Sequence, residues 1–318
     1  GESAGGAAVS TLMAMPPAKG LFNRVISQSG AAHPGWFNPK PGIRGAERIM
    51  TALAIKGFNI EALKKVPTQK IVKVQTKMEL EARAEGRNFP YGIYIDNKTL
   101  LKHPLEAIRD GFASDIELIV GTNQDEAKLY TALTPPREIL DEDGLFKRTH
   151  RMISRFNQEG EVTKKIIETY KKTRKGEPQE ILDAISTDFR FRISGLRLAE
   201  AQCKHQPNVY SYLFTYKSPE MGGKLGSCHA LEISFVFGTL GDKARGIVPK
   251  RSNETDILSE KMMKSWISFA QNGNPNHDGI PKWNSYSLKN RFTMLFGTEV
   301  KLVDDPFKAE RMVWEGIF

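Results

Sequence analysis

The chain opens Gly1-Glu2-Ser3-Ala4-Gly5-Gly6, a G-x-S-x-G stretch with a serine held between glycines. A stretch of this form makes a sharp strand-to-helix turn that lifts the serine hydroxyl toward solvent. A Cβ at either flanking glycine is expected to collide with nearby backbone, and the serine is expected in an unfavourable region of φ/ψ. Small and apolar residues then run through Ala7, Ala8, Val9, Leu12 and Met13 to Pro16-Pro17, which predicts a short helix able to press closely on a sheet. Because the motif stands at the first residue, the strand that should lead into the turn is missing, and the expectation is a fragment without its N-terminal strands.

Working outward, Arg24-Val25-Ile26-Ser27-Gln28-Ser29-Gly30 reads as a short buried strand closed by a glycine turn, so a β-α-β unit begins at the serine. Helical patterns follow over about 43–54, 69–82 and 104–110. Ile116-Glu117-Leu118-Ile119-Val120-Gly121 is then an apolar run of parallel-strand type, with Thr122-Asn123-Gln124-Asp125-Glu126 beyond its carboxyl end. From about 135 to 205 the pattern is helical and heavily charged, as expected of a cap over a sheet. Val209 to Tyr216, rich in aromatic and β-branched residues, is the clearest strand. It empties into the glycine-rich loop Gly222 to His229 and an apolar helix through Phe237. An amphipathic helix over Thr255 to Gln271 with Gly273 as its stop, a strand over Phe292 to Phe296 and a helix over Phe307 to Trp314 complete the chain. Alternating strands and helices predict an α/β fold with a mostly parallel sheet flanked by helices. With no internal repeat or linker, residues 1–318 read as the C-terminal part of a single domain carrying a helical cap-like stretch at about 135–205.

Composition narrows the function classes. The 318 residues are 40% hydrophobic and 26% charged, as in globular proteins, and no apolar run is long enough to span a membrane. The net charge of +9 raises the question of nucleic acid, but the basic residues are interspersed with acids, as over Glu79 to Arg87 and Lys164 to Lys175. That pattern suits solvated helix faces, and no nucleic-acid partner is expected. Two cysteines, Cys203 and Cys228, in so long a chain suggest a reducing compartment, hence a cytoplasmic location.

In open α/β sheets, functional groups gather outside the carboxyl ends of the strands. Three such ends carry, in chain order, a serine, an acid and a histidine: Ser3, Glu126 in the pair Asp125-Glu126, and His229. A serine hydroxyl is a poor nucleophile at neutral pH. It needs an imidazole to take its proton and a carboxylate to orient that imidazole. The residues alone do not separate Asp125 from Glu126.

Taken with these motifs, the sequence resembles the type-B carboxylesterase family of α/β-hydrolases, which includes cholinesterases and bacterial carboxylesterases. The resemblance runs over essentially the whole chain. It is carried by Gly1 to Gly6, by Val25-Ile26-Ser27-Gln28-Ser29-Gly30, by Gly121-Thr122-Asn123-Gln124-Asp125-Glu126, by the run from Cys228-His229 to Phe237-Gly238, and by Gly273-Asn274-Pro275-Asn276. It implies an α/β-hydrolase fold and a serine hydrolase of carboxylic esters working through an acyl-enzyme, with no cofactor and no metal. By that resemblance Ser3 is the nucleophile, His229 the general base and then acid, and Glu126 the orienting acid. The Ala4 N–H would be one oxyanion donor. Ser29 would hydrogen-bond the acid, and Glu2 would place a negative charge beside the site. Trp36 would line the acyl pocket, and Leu129 and Tyr130 the substrate gorge. Cys228 reads as a small buried filler.

In such a family the remaining oxyanion donors come from a glycine-rich loop upstream of the serine. The isolated chain is therefore expected to turn over esters poorly, since losing one donor typically costs about 100- to 1000-fold. Two other functions fit the same resemblance. One is a catalytically weak member with a binding or adhesion role, against which the presence of Ser3, Glu126 and His229 counts. The other is acyl transfer to an acceptor other than water.

Overall fold

The computed structural model describes residues 1–33, 39–84, 93–133, 139–156, 158–241 and 246–317. They form two compact units, residues 34–103 and the remainder of the chain.

The larger unit is built on a sheet of five strands in the order β1 (Arg24–Gln28), β2 (Glu117–Asn123), β3 (Val209–Phe214), β4 (Phe292–Phe296) and β5 (Val300–Asp304). β1 to β4 run parallel, whereas β5 returns antiparallel on β4. The sheet is thus mostly parallel, as the alternation of strand and helix patterns predicts. β5 adds an edge that the apolar-run criterion passes over, because its residues are only half-buried or exposed.

Side-chain alternation explains why β2 and β3 read as continuous apolar runs. Successive residues of a strand point to opposite faces, and here both faces are covered. Leu118, Val120 and Val209 join a cluster with Val25, Leu105, Ile108 and Leu198. Ile119, Tyr210, Tyr212 and Phe214 join a larger cluster with Leu225, Phe235, Met262, Trp266, Phe269 and Trp283.

α1 (Ala4–Leu12) starts directly after Ser3 and packs on β1. Its close approach needs Gly30, where a Cβ would fall 2.0 Å from the Ser3 carbonyl and 2.7 Å from the Ala7 nitrogen. A Cβ on Gly1 would likewise lie 2.4 Å from the Gly5 carbonyl, as expected, but on Gly5 it would meet nothing within 4 Å among the described residues. The steric requirement therefore sits at Gly1, Gly6 and Gly30 rather than at both glycines flanking the serine. The predicted apolar helix through Phe237 is only a single turn, Ile233–Val236. The amphipathic helix spans Asn253–Asn272, where Ser252 and Thr255 cap each other reciprocally and Gly273 closes the end in the left-handed region at φ 77°.

The charged stretch between β2 and β3 has only helical elements among its described residues, chiefly Lys128–Leu133, Glu142–Ile153, Gly160–Thr173, Pro178–Thr187 and Ile193–Gln202. The last two are joined by a wider turn over Asp188–Arg192. These helices have their own core of Leu145, Ile166, Tyr170, Ile185 and Phe189, closed by Trp314 of the C-terminal segment. A buried polar network ties the same elements together. Tyr170 and Arg192 both hydrogen-bond Asp188, the Trp314 indole donates to Tyr170 at 2.9 Å, and Arg174 makes a two-point contact with Glu310 at 2.9 and 2.7 Å. Among the described residues no helix is long and apolar enough to cross a membrane.

The smaller unit contains the helices Pro39–Ala52, Ile60–Lys64 and Thr68–Ala84. The first and last pack together and are linked by an Arg48–Glu81 ion pair at 3.0 Å, and Met50, Leu53 and Met78 are buried in this unit. Its middle helix is too short to show a periodic pattern, although Asn59 caps it by accepting from the Ala62 amide at 2.9 Å.

Candidate active site

Ser3, Glu126 and His229 stand at the carboxyl ends of the sheet, each on a different connection. Ser3 lies in the turn from an isolated parallel bridge, Glu2 on Gln28, into α1. Its backbone is forced to φ 53°, ψ −117°, which L-residues rarely adopt, while its N–H donates to the Gln28 carbonyl at 2.9 Å. Ser29 at φ 49° and Ala230 at φ 65° also lie in the left-handed region, so unusual backbone conformations gather at this rim.

The side chains converge in an unbroken line. His229 Nε2 lies 2.9 Å from Ser3 Oγ, and His229 Nδ1 lies 2.6 Å from Glu126 Oε2. An ionised carboxylate can only accept, so Nδ1 carries the ring proton and Nε2 is the acceptor facing the serine hydroxyl. The second oxygen, Glu126 Oε1, accepts from Ser29 Oγ at 2.5 Å and from the Asn123 main-chain N–H at 2.7 Å. Glu126 is fully buried and His229 nearly so.

The geometry also separates the two adjacent acids. Asp125 turns away, accepting from the Ser227 amide at 3.0 Å and pairing with Lys128 at 3.3 Å. It thereby secures the glycine-rich loop leading to His229, while Glu126 alone faces the imidazole.

Burial alone would pull the His229 pKa down. The hydrogen bond and charge of Glu126, reinforced by Glu2 and Glu232, outweigh it and hold the pKa above the ordinary histidine value. Glu2 Oε1 lies 3.3 Å from His229 Nε2 and has no hydrogen-bond partner among the described residues. Burial raises the Glu2 pKa, opposed by the nearby imidazole. Burial likewise pushes the Cys228 thiol up to about 12, which leaves it inert at neutral pH and consistent with a filler.

The Ala4 N–H is the first of α1 and has no acceptor among the described residues, so it remains free to donate. Tyr130 stands beside the imidazole with ring centres 5.8 Å apart, whereas Leu129 packs against the larger core cluster. Trp36 lies outside the described residues. Two features were not anticipated from sequence. Phe191 packs against His229 with ring centres 4.8 Å apart and the rings tilted by 32°, brought there by the wide turn Asp188–Arg192 that helical periodicity does not signal. A buried polar cluster of Gln28, Asn123 and Glu232 also lies directly behind these side chains. All three of its members fall within quoted motif segments, but no local pattern joins them. Among the described residues no three His, Cys, Asp or Glu side chains group as metal ligands.

A mostly parallel sheet with a serine on a strained turn before a helix, and an acid and a histidine following in that chain order, defines the α/β-hydrolase class. The chain belongs to the Carboxylesterase family, whose model matches residues 1–314. It is 27% identical over 311 residues to para-nitrobenzyl esterase of Bacillus subtilis (strain 168), an alignment covering 98% of this chain and 60% of that protein. It is 30% identical to carboxylesterase 1C of Rattus norvegicus, covering 94% of this chain and 54% of the relative. Among solved structures, a Geobacillus stearothermophilus carboxylesterase superposes with a TM-score of 0.84 at 31% identity, over 99% of this chain and 63% of that one. The chain thus spans about 60% of the length of the first such relative.

Proposed function

We propose that the chain carries the catalytic triad of a serine hydrolase of carboxylic esters, with Ser3 as nucleophile, His229 as general base and then acid, and Glu126 as the acid that orients it. The observation that carries this reading is the continuous line from Ser3 Oγ to His229 at 2.9 Å and from His229 to Glu126 at 2.6 Å. Names among the relatives, such as para-nitrobenzyl esterase, support small carboxylic esters as the substrate class.

In the reaction, Nε2 of His229 accepts the Ser3 proton as Oγ attacks the ester carbonyl, and the positive imidazole is stabilised by Glu126 at Nδ1. The Ala4 N–H supports the developing oxyanion, as expected for the residue following the nucleophile. Glu2 contributes mainly after proton transfer. Its buried oxygen gains a partner only when Nε2 becomes protonated, so the contact is stronger along the reaction than in the resting site. His229 then returns the proton to the leaving alcohol. Water, activated by the same nitrogen, releases the acyl group from Ser3.

A fluorophosphonate probe, which reacts with activated serines, tests the assignment alongside turnover of p-nitrophenyl acetate. The protein should be labelled, and Ser3→Ala should lose both labelling and turnover. Equal labelling of the alanine variant would show that the nucleophile lies elsewhere.

A further inference from the structure

Behind the triad, the end of β2 holds a residue that grips one of its members and the loop that carries another. The Asn123 main-chain N–H donates to Glu126 Oε1 at 2.7 Å. Its side-chain amide donates to the Cys228 carbonyl at 2.7 Å, one residue before His229, and to Glu232 Oε2 at 2.6 Å, three residues after it. Resting on the reading of Ser3, Glu126 and His229 as a catalytic triad, we propose that Asn123 is a positioning residue that fixes the imidazole-bearing loop against the carboxylate-bearing turn.

The donor pattern supports a fixed role over a slack one. A carbonyl can only accept, so the Cys228 oxygen forces the Asn123 NH₂ group toward residues 228–232 and determines which way the amide faces. On the other side of Glu232, Gln28 Nε2 donates to Oε1 at 3.1 Å, and the Trp266 indole, which can only donate, binds Gln28 Oε1 at 3.0 Å. Both amides are thereby locked as donors to Glu232, which accepts on both oxygens while fully buried. Burial and the charge of Glu126 raise the Glu232 pKa, and the two amide donors oppose them. Gln28 repeats the arrangement one strand away, its main-chain carbonyl holding the Ser3 N–H at 2.9 Å. Each strand end thus holds one triad member through its main chain and the loop of the third through its side chain.

The test is a polarity swap. Asn123→Asp sets a carboxylate against Glu232 and the Cys228 carbonyl, leaving acceptors facing acceptors. Because misplacement by about 1 Å costs about 100-fold, kcat for p-nitrophenyl acetate should fall by about that factor with KM little changed, and fluorophosphonate labelling should slow in parallel. In Asn123→Asp/Glu232→Gln the new amide can donate to the new carboxylate, and about tenfold of the lost kcat should return. A single variant with unchanged kcat overturns the proposal, as does a double variant that recovers neither fold, by circular dichroism, nor rate. Ser3→Ala assayed alongside keeps the questions apart. If it stays active, the triad reading fails. If it is inactive while Asn123→Asp is normal, only the positioning role fails.

Discussion

Replacing Glu126 with glutamine removes a charge while keeping the side chain's shape, and the surroundings dictate which way the new amide faces. Oε1 accepts from the Asn123 main-chain N–H at 2.7 Å, a group that cannot accept in return. The glutamine oxygen must take that position, which turns its NH₂ toward His229 Nδ1. The imidazole then has to accept at Nδ1 and carry its proton on Nε2, where it donates to Ser3 instead of receiving from it. Flipping the amide to restore the productive tautomer would leave two N–H groups facing each other, a buried donor mismatch of about 1–3 kcal/mol. That bias alone depletes the competent form about 5- to 150-fold. Losing the charge opposite the imidazolium adds to it, and an acid-to-amide change in a serine triad lowers kcat about ten-thousand-fold, or about 5 kcal/mol of barrier. Turnover of p-nitrophenyl acetate and the rate of fluorophosphonate labelling should both fall toward this limit, with an unchanged melting temperature showing that the fold survives. A Glu126→Gln protein within about fivefold of its parent would refute the tautomer reasoning, because the amide bias by itself reaches that margin.

Ser29→Ala removes one of the two donors on Glu126 Oε1 and should lower kcat by about tenfold, since a hydrogen bond to a charged group contributes about 1.5–3 kcal/mol and Asn123 keeps the carboxylate partly satisfied. The elevated His229 pKa means that the ring holds its proton to higher pH, so kcat/KM should rise with pH through a limb above the 6.5 of an ordinary histidine. Glu2→Gln should move that limb to lower pH, read from a pH–rate profile, since it removes one of the charges that favour the protonated ring. Glu310→Ala leaves Arg174 and Arg192 buried without one of their carboxylates and should lower stability in urea by about 3–5 kcal/mol. Gly30→Ala sets a methyl against main-chain atoms of Ser3 and Ala7 that cannot move aside, so fluorophosphonate labelling should be lost even in whatever folded protein is recovered.

Much of the architecture was legible because its signals are local. β2 and β3 declare themselves by unbroken apolar runs that supply both clusters, and the helix over Asn253–Asn272 by its stripe and its Gly273 stop. β5 was not, because a half-exposed edge pair such as Val300 to Asp304 carries little apolar contrast. The site divides the same way. Ser3 and His229 sit in short motifs, whereas the choice of Glu126 over Asp125 depends on which carboxylate meets a ring 103 positions away. Phe191, Gln28 and Glu232 take their places only through tertiary packing, for which no spacing along the chain is a signature.

The pairing of β1 with β2 sets Gln28 opposite Gly121, and the Ser29 amide donates to the Gly121 carbonyl at 2.8 Å. Sliding β1 by one residue would turn Gln28 away from Glu232 and carry Ser29 off the Glu126 carboxylate, because neighbouring residues of a strand face opposite ways. A misaligned sheet could still bury its valines and isoleucines, yet it would be chemically silent. Probe labelling therefore reports strand alignment as well as the presence of a serine, and on refolding it should recover only as the aligned pair is reached.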